Sequence, residues 1–507
     1  MLKSGNHGWR LEQLLEGIVE LPYHLYGIEV TGLSMDSRTV SAGDLFFALA
    51  GGSLDGADFV EQALEHGAVA LLWEHGELNV AVGIQTTELR EKVGVIASRF
   101  YGNPSASLRV AAVTGTDGKS SVTHFIASAM EKIEGGAGVI GTVGARMSGE
   151  GGVEQSSSHT TPPPVELQRL LSQMVEHDGK SVALEASSHG IEQSRLAGCV
   201  VNTAVLTQLG RDHMDYHGSV ERYGEVKKSL FYSAGLESTV VNMDDALGRE
   251  IRRSSPQGVQ AIGYGLDLEV TPAPELRGVV ISQSREGMLL EVEYRGETVE
   301  LRSLLYGRFN GSNLLAALGV LISWQVPLRQ AVAALEMVEP VPGRMEPFGG
   351  VDGGGALLVV DYAHTSGALA AALTALRDHL HGTVDRGRLW VLFGCGGERD
   401  RGKRAEMGEV AEHHADLVVV TSDNPRSEPP GQIIQQILQG TERPGDITVI
   451  ENREQAIRYC VREAEPTDTV LIAGKGHEEW QWVGGEKIPF SDRELANLLA
   501  EDSTDGG

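Results

Sequence analysis

The stretch Leu108-Arg109-Val110-Ala111-Ala112-Val113-Thr114-Gly115-Thr116-Asp117-Gly118-Lys119-Ser120-Ser121 decides the fold. A β-type apolar run ends in a Gly-rich turn, and the helix-forming Val122-Thr123-His124-Phe125-Ile126 follows. Gly115 and Gly118 let backbone N–H groups approach an anion, and the helix N-terminus adds partial positive charge. Lys119 can reach terminal phosphates, and the Ser120 hydroxyl is placed to ligate Mg²⁺. Only Thr116 and Asp117 separate the glycines, fewer than the general P-loop pattern has. The alternative is a Gly-rich strand-to-helix turn with an incidental lysine.

The chain of 507 residues predicts two to four domains, and 41% hydrophobic with 22% charged residues is a globular composition. A net charge of −28 argues against nucleic acid as a broad-surface partner, while an anionic small substrate needs only a local pocket. Cys199, Cys395 and Cys460 are too far apart for a disulfide framework or a paired metal site, which fits a reducing cytoplasm. The first residues lack an apolar signal region, and no run approaches ~18 apolar residues, so neither secretion nor membrane insertion is expected.

The fold class read from the pattern is α/β in three domains. Residues 1–107 form a small α/β unit with a helix over Trp9 to Ile18, strands at Gly27–Leu33, Asp44–Leu49 and Ala68–Leu72, and a helix from Phe59 to His66. Residues 108–341 form a central unit with a mostly parallel sheet, its strands at Val110–Val113, Ser181–Glu185, Val201–Leu206 and Thr239–Asn242. From Val259 to Arg302 short strands with Gly turns suggest an antiparallel subsheet, and helix returns at Asn313 to Trp324. Beyond Pro340-Val341-Pro342-Gly343, residues 342–507 show five further strand-like runs alternating with helices: Ala356–Asp361, Leu389–Phe393, Leu417–Thr421, Ile447–Ile450 and Val470–Ala473. These make a Rossmann-like, doubly wound unit.

Several segments carry chemistry. Glu185 ends the run Ser181–Glu185, where a carboxylate beside a phosphate loop can hold Mg²⁺ against ATP; a solvated or capping role is the alternative. Gly210-Arg211-Asp212-His213-Met214-Asp215-Tyr216-His217-Gly218 is dense enough in imidazole and carboxylate to hold a divalent ion, or is a hydrogen-bonding loop. Lys227, in Tyr223-Gly224-Glu225-Val226-Lys227-Lys228-Ser229-Leu230-Phe231, reads on pattern alone as a surface lysine. In Gly307-Arg308-Phe309-Asn310-Gly311-Ser312-Asn313, Asn310 or Ser312 can cap a helix. Ser422-Asp423-Asn424-Pro425-Arg426 offers either an Asx-Pro turn or a guanidinium that can grip a carboxylate through two parallel hydrogen bonds.

Taken in order from about residue 33 to 493, these segments resemble the Mur ligase and folylpolyglutamate synthetase superfamily, and within it the Mur ligases that add the third peptide residue of the peptidoglycan precursor. The shortened loop resembles G-T-x-G-K-[ST], with Asp117 where Asn is usual and Ser120 where Thr is usual; a carboxylate there must point away, pair with a cation or carry a proton. Gln208 likewise replaces a usual Asn. The resemblance implies ATP and Mg²⁺ as cofactors, with ATP contacted by Gly115, Thr116, Asp117, Gly118, Lys119, Ser120, Ser121, Asn310, Asn313, Arg344 and Asp361. It implies metal ligation by Ser120, Glu185, His213 and a carbamylated Lys227, and catalytic roles for Lys119, Glu185, His213 and Lys227.

For the UDP-muramoyl-dipeptide it implies Met35 and Ser37 (Met35-Asp36-Ser37-Arg38), Thr160 and Thr161 (His159-Thr160-Thr161-Pro162), and Ser187, Gln193 and Arg195. For the incoming amino acid it implies Arg399, Asp423, Asn424, Pro425, Arg426, Gly474 and Glu478, with Glu478 meeting a distal ammonium. D-N-P-R marks ligases that add meso-diaminopimelate, whose distal carboxylate suits Arg426; lysine offers no such anion. The implied reaction is ATP-dependent amide formation through an acyl phosphate by a cytoplasmic monomer. The rivals are a lysine-adding ligase, a folylpolyglutamate-type ligase and a non-catalytic interaction protein. Ser366-Gly367 stands where Pro is usual, suggesting a looser turn.

Overall fold

The computed structural model describes residues 8–51, 55–76, 78, 80–147, 152–156, 159–210, 214–267, 269–350, 355–381 and 387–504. Its internal contacts divide the chain into two compact units: 1–264 with 270–275 and 316–327, and 265–269 with 276–315 and 328–507. The architecture is α/β with three sheets built mainly of parallel strands, as the sequence pattern implies.

In the first unit, Gly32–Ser34, Asp44–Ala48, Ala70–Trp73 and Gly83–Gln85 pair in parallel in that order. Their inward side chains, including Leu45, Phe47, Leu72 and Ile84, close on Val93 and Ile96 of the helix Leu89–Phe100. Gly94 of that helix lets its backbone touch the central layer: a Cβ there would fall 2.1 Å from the Ala197 carbonyl oxygen. The helix expected over Trp9 to Ile18 shrinks to Leu11–Leu14. Trp9–Arg10 instead pairs antiparallel with Glu29–Val30, and Gly17 at φ +71° turns the chain away.

The second sheet of this unit has the order Glu154–Gln155, Gly144–Met147, Ala137–Gly141, Ser181–Glu185, Arg109–Thr114, Thr203–Leu206, Ser238–Asn242, Gln260–Gly265. From Ala137–Gly141 onward all neighbours are parallel. The strands are buried on both faces, as continuous apolar runs such as Val110-Ala111-Ala112-Val113 require. The sequence pattern missed Ala137–Gly141 and its antiparallel partner Gly144–Met147.

In the second unit Leu276–Ser284, Gly287–Tyr294 and Glu297–Ser303 form an antiparallel meander, as the Gly-turn spacing suggested. The helix expected from Asn313 begins earlier, spanning Arg308–Ser323. The last sheet runs Glu346–Phe348, Leu357–Asp361, Thr469–Ala473, Leu389–Phe393, Leu417–Val420, Thr448–Val449, parallel except for its first strand. A further hairpin pairs Trp480–Val483 with Glu486–Pro489. The looser turn expected at Ser366-Gly367 is instead the start of the helix Ser366–His381, with the Thr365 hydroxyl accepting 3.3 Å from the Ala368 N–H.

Candidate active site

In the first unit the strand Arg109–Thr114 delivers the loop Gly115–Gly118 to the helix Lys119–Glu134. Gly115 adopts φ +147° and Gly118 φ +83°, and a Cβ on Gly115 would lie 1.8 Å from Thr207 Oγ1. That hydroxyl donates 2.6 Å to the Asp117 carbonyl, while the Gln208 carbonyl accepts from the Thr116 N–H at 2.8 Å. The end of the strand Thr203–Leu206 thus holds the loop's shape. Lys119 arches back, its Nζ 3.0 and 2.7 Å from the Gly115 and Thr116 carbonyls, and Ser121 sits in the helix's first turn.

Glu185 is 2% exposed, and its Oε1 accepts from Ser120 Oγ and from the Thr142 N–H, both at 2.8 Å. Thr142 Oγ1 donates 3.1 Å to Oε2. A buried strand-end carboxylate beside the loop hydroxyl is the arrangement expected of a site for a hard cation. Lys227 is 1% exposed, on the helix Val220–Ser229. Its Nζ donates 2.8 Å to the Gly115 carbonyl and lies 4.3 Å from the Tyr223 ring centroid, so it is not the surface lysine that the local pattern suggests. His213, with Arg211 and Asp212, lies outside the described residues. Among the described residues no three His, Cys, Asp or Glu side chains converge as a metal site.

Asp117 accepts 3.1 Å from Gln208 Nε2. The two residues singled out in the sequence, Asp117 and Gln208, therefore meet, and a neutral amide donates to the carboxylate. On the helix behind the loop, burial followed by the Arg146 charge brings the His124 imidazole down to about 4, so it is neutral at pH 7.

A second cluster adjoins Glu185. Thr161 Oγ1 donates 2.7 Å to the Glu185 carbonyl and lies 2.9 Å from Ser187 Oγ, while Thr142 Oγ1 lies 3.1 Å from Thr160 Oγ1. Arg195 donates 2.6 Å to the Thr161 carbonyl and forks onto Gln193 Oε1 at 2.8 and 3.2 Å. Burial lowers the Arg195 pKa; burial and then the Arg195 charge lower that of His159. Ser37 sits apart, donating 2.7 Å to Gln62, and Met35 packs on the first sheet's core.

In the second unit Asn310 Nδ2 donates 2.9 Å to the Tyr306 carbonyl and Asn313 Nδ2 donates 3.1 Å to Asn310 Oδ1, both residues buried in the first turns of their helix. Asp361 ends its strand and accepts the Met345 and Ala363 N–H groups at 2.8 Å each. Burial raises its pKa, opposed by the Arg344 charge; the Arg344 guanidinium stacks 4.6 Å from the Tyr362 ring centroid.

The remaining predicted residues gather around the C-terminal ends of Leu389–Phe393, Leu417–Val420 and Thr469–Ala473. Asp423 is buried; burial raises its pKa, with the Arg453 and Lys475 charges opposing. Gly474, at φ +117°, would place a Cβ 3.4 Å from Asp423 Oδ2. Asn424 Oδ1 accepts from the Trp482 N–H at 2.9 Å, and its Nδ2 donates 2.8 Å to Glu478 Oε2. Pro425 is buried against Gly397, where a Cβ would fall 1.9 Å from its carbonyl oxygen. Arg426 adopts φ +53°, and its Nη1 donates 2.6 Å to the Gly397 carbonyl. A Cβ on Gly396 would fall 3.2 Å from Arg426 Nη1 and 3.6 Å from Arg399 Cγ, so that glycine lets the two arginines approach.

Sequence reasoning missed Thr142, Thr207, Tyr223, Lys475 and the hairpin that meets Arg426. Thr142 follows the overlooked strand Ala137–Gly141, and Gly484-Gly485 signalled the hairpin turn.

Strand, Gly-rich loop, helix and a buried carboxylate facing the loop hydroxyl define a phosphate-binding α/β protein. Family models match along most of its length: "Mur ligase family, catalytic domain" over residues 29–101, "Mur ligase middle domain" over 113–321 and "Mur ligase, glutamate ligase domain" over 343–476. Proteins named UDP-N-acetylmuramoyl-L-alanyl-D-glutamate–2,6-diaminopimelate ligase are similar to it. The one from Chromobacterium violaceum is 42% identical over 477 residues, 93% of this chain and 94% of that protein. The one from Alkalilimnicola ehrlichii is 43% identical over 488 residues, 93% and 95% of the two. A solved structure of a ligase of that name shares 32% identity at a TM-score of 0.73, covering 98% of this chain and all of its own. The chain belongs to the Mur ligase family.

Proposed function

We propose that the chain is an ADP-forming ligase that adds meso-2,6-diaminopimelate to UDP-N-acetylmuramoyl-L-alanyl-D-glutamate in peptidoglycan precursor synthesis. The observation that carries this reading is 42% identity over 93% of the chain to a relative of that name. The reading assigns UDP-substrate binding to residues 1–107, ATP chemistry to 108–341 and amino-acid binding to 342–507, in a cytoplasmic monomer. No helix among the described residues is long and apolar enough to cross a membrane.

The donor set fits Mg²⁺: Ser120 Oγ and Glu185 Oε1 are oxygens 2.8 Å apart, and hard cations take oxygen ligands. His213 and a carbamylated Lys227 would complete the ligation. When bound, the ion offsets the charge on the transferring phosphoryl group. The Gly115–Ser120 loop would hold the ATP phosphates on backbone N–H groups, and Lys119 would leave its loop carbonyls to reach the terminal phosphate. Asn310, Asn313, Arg344 and Asp361 would seat the rest of the nucleotide.

Thr160, Thr161, Ser187, Gln193 and Arg195 would place the D-glutamyl side-chain carboxylate, which attacks the γ-phosphorus and becomes an acyl phosphate as ADP leaves. The free amine of diaminopimelate then attacks the carbonyl carbon, loses its proton and expels phosphate. Arg426 and Arg399 would hold the distal carboxylate, and Glu478 the distal ammonium. Exclusion of water protects the acyl phosphate until the amine arrives.

The test is phosphate release by purified protein with Mg-ATP, the UDP-muramoyl-dipeptide and either diaminopimelate or lysine, with the amide product weighed by mass spectrometry. Turnover with diaminopimelate and little with lysine is expected; lysine preference, or ATP binding with no amide formed, refutes the reading.

A further inference from the structure

Lys475 is fully buried, yet it sits in a Gly-Lys-Gly-His-Glu segment whose neighbours Gly474 and Glu478 carry the roles inferred above. Its Nζ donates to three acceptors: Glu478 Oε2 at 2.8 Å, Asn424 Oδ1 at 3.3 Å and the Trp480 carbonyl at 2.6 Å. Three acceptors saturate an ammonium, so the charge is accommodated without water. Each acceptor belongs to a different part of the amino-acid site. Asn424 lies in the Asp423–Arg426 turn, Glu478 follows the strand Thr469–Ala473, and Trp480 opens the hairpin Trp480–Pro489.

That hairpin in turn grips Arg426. The Arg426 N–H donates 3.0 Å to the Trp482 carbonyl, and the Gly484 N–H donates 2.8 Å to the Arg426 carbonyl. These two bonds hold a non-glycine residue at φ +53°, a conformation that costs energy unless its surroundings fix it. Asn424 Oδ1 accepts from the Trp482 N–H as well as from Lys475. The Lys475 ammonium is therefore the point at which the turn, the Glu478 carboxylate and the hairpin are tied together. Asn424 and Lys475 both reach the same Glu478 oxygen, Oε2, and among the described residues Oε1 makes no hydrogen bond.

We propose that Lys475 is a positioning residue for the distal end of the incoming amino acid. It fixes Glu478 with Oε1 available to an ammonium and, through the hairpin, sets the backbone from which Arg426 reaches a carboxylate. A zwitterionic terminus is then read by two groups of opposite charge whose separation Lys475 maintains. The proposal rests on the amino-acid site assigned above and adds to it a residue that touches no substrate.

The test uses Lys475→Met and, as the gentler change that keeps one N–H donor set, Lys475→Gln. Steady-state kinetics are measured with diaminopimelate varied at saturating ATP and dipeptide, and with ATP varied. The expected result is a rise of about tenfold to a hundredfold in KM for diaminopimelate, the scale of one or two charge-assisted hydrogen bonds, with KM for ATP within about twofold. A Glu478→Gln, Lys475→Gln double variant should be non-additive, since the second residue acts through the first. An unchanged KM for diaminopimelate in either variant overturns the proposal. So does a fall of all parameters together with the thermal midpoint in both variants, which makes Lys475 a fold determinant only. Wild-type protein that joins no amino acid to the dipeptide sinks the functional reading itself, and so is told apart from failure of the Lys475 role.

Discussion

Replacing Arg426 by alanine should abolish discrimination at the distal carboxylate while leaving the turn in place. The backbone there is held by the two hairpin bonds to Trp482 and Gly484, which the substitution does not touch. Alanine tolerates φ +53° no worse than arginine, so the structural loss is the single Nη1 bond to the Gly397 carbonyl, about 1 kcal/mol. The binding loss is larger. A guanidinium fork on a carboxylate makes two charge-assisted bonds of about 1.5–3 kcal/mol each, part of which water recovers on truncation. A net of about 3 kcal/mol corresponds to roughly 150-fold in KM for diaminopimelate at about 1.4 kcal/mol per decade. Arg426→Lys keeps the charge but not the fork and should fall between, about tenfold. The assay is phosphate release with diaminopimelate or lysine varied at saturating ATP and dipeptide. The diaminopimelate-to-lysine preference should collapse, with KM for ATP unchanged. Equal KM for diaminopimelate before and after the change, or a parallel rise in KM for ATP, refutes the argument.

Gly115→Ala places a Cβ 1.8 Å from Thr207 Oγ1 at φ +147°, strain of about 1–3 kcal/mol that the loop must relieve by moving. Calorimetric ATP affinity should drop at least about tenfold, and undiminished affinity would contradict a phosphate role for this turn. Arg453→Met leaves Asp492 buried without its ion-pair partner and frees the Ala473 and Ser422 carbonyls, a destabilisation of about 3–5 kcal/mol that urea unfolding should report. A second change, Asp492→Leu, should recover much of it, and no recovery would mean the pair is not the cause. Glu428 is held from the ordinary 4.5 down to about 2, first by the Arg404 guanidinium and then by the Glu398 N–H. Its folded value lies below its unfolded one, so its stabilisation is complete above 4.5 and is lost as pH falls toward 2. Glu428→Gln should flatten the stability curve across that window, and an unaltered acid limb would show that the ion pair contributes nothing.

Central parallel strands were legible because burial on both faces forces continuous apolar runs, and Ser181–Glu185 and Leu389–Phe393 begin and end where those runs do. Ala137–Gly141 was not, for a reason visible in its packing. A Cβ on Gly138 would meet Met174 Sδ at 2.7 Å, and one on Gly141 would meet Glu185 Oε1 at 2.2 Å. Tertiary contacts demand the glycines that weaken its strand signal. Lys475 was passed over because a lysine within a Gly-rich turn carries no mark of burial; its acceptors come from residues 424, 478 and 480, and only folding collects them. Lys227 shows the converse: its local pattern is that of a surface helix, and only resemblance pointed inward, where it bonds the Gly115 carbonyl.

A common device shapes these sites. Lys119 and Lys227 donate to carbonyls of the Gly115 loop, Arg404 and Arg426 to Gly396 and Gly397, Lys475 to Trp480 and Arg453 to Ala473. Lys119, Lys227, Arg404 and Arg426 hold loops that follow the strands Arg109–Thr114 and Leu389–Phe393, where ladder hydrogen bonding has stopped and the carbonyls need donors, whereas Lys475 and Arg453 bond the first residue of a hairpin strand and the last residue of a parallel strand. The chain carries 42 basic residues against 70 acidic ones, and Arg404, Arg453 and Lys475 are themselves paired with Glu428, Asp492 and Glu478. The Asp117–Gln208 pair reverses the sign: there a carboxylate beside the Gly115–Gly118 loop accepts 3.1 Å from a side-chain amide. Shortening Gln208 to Asn would withdraw that donor and leave the carboxylate free to face whatever anion the loop carries.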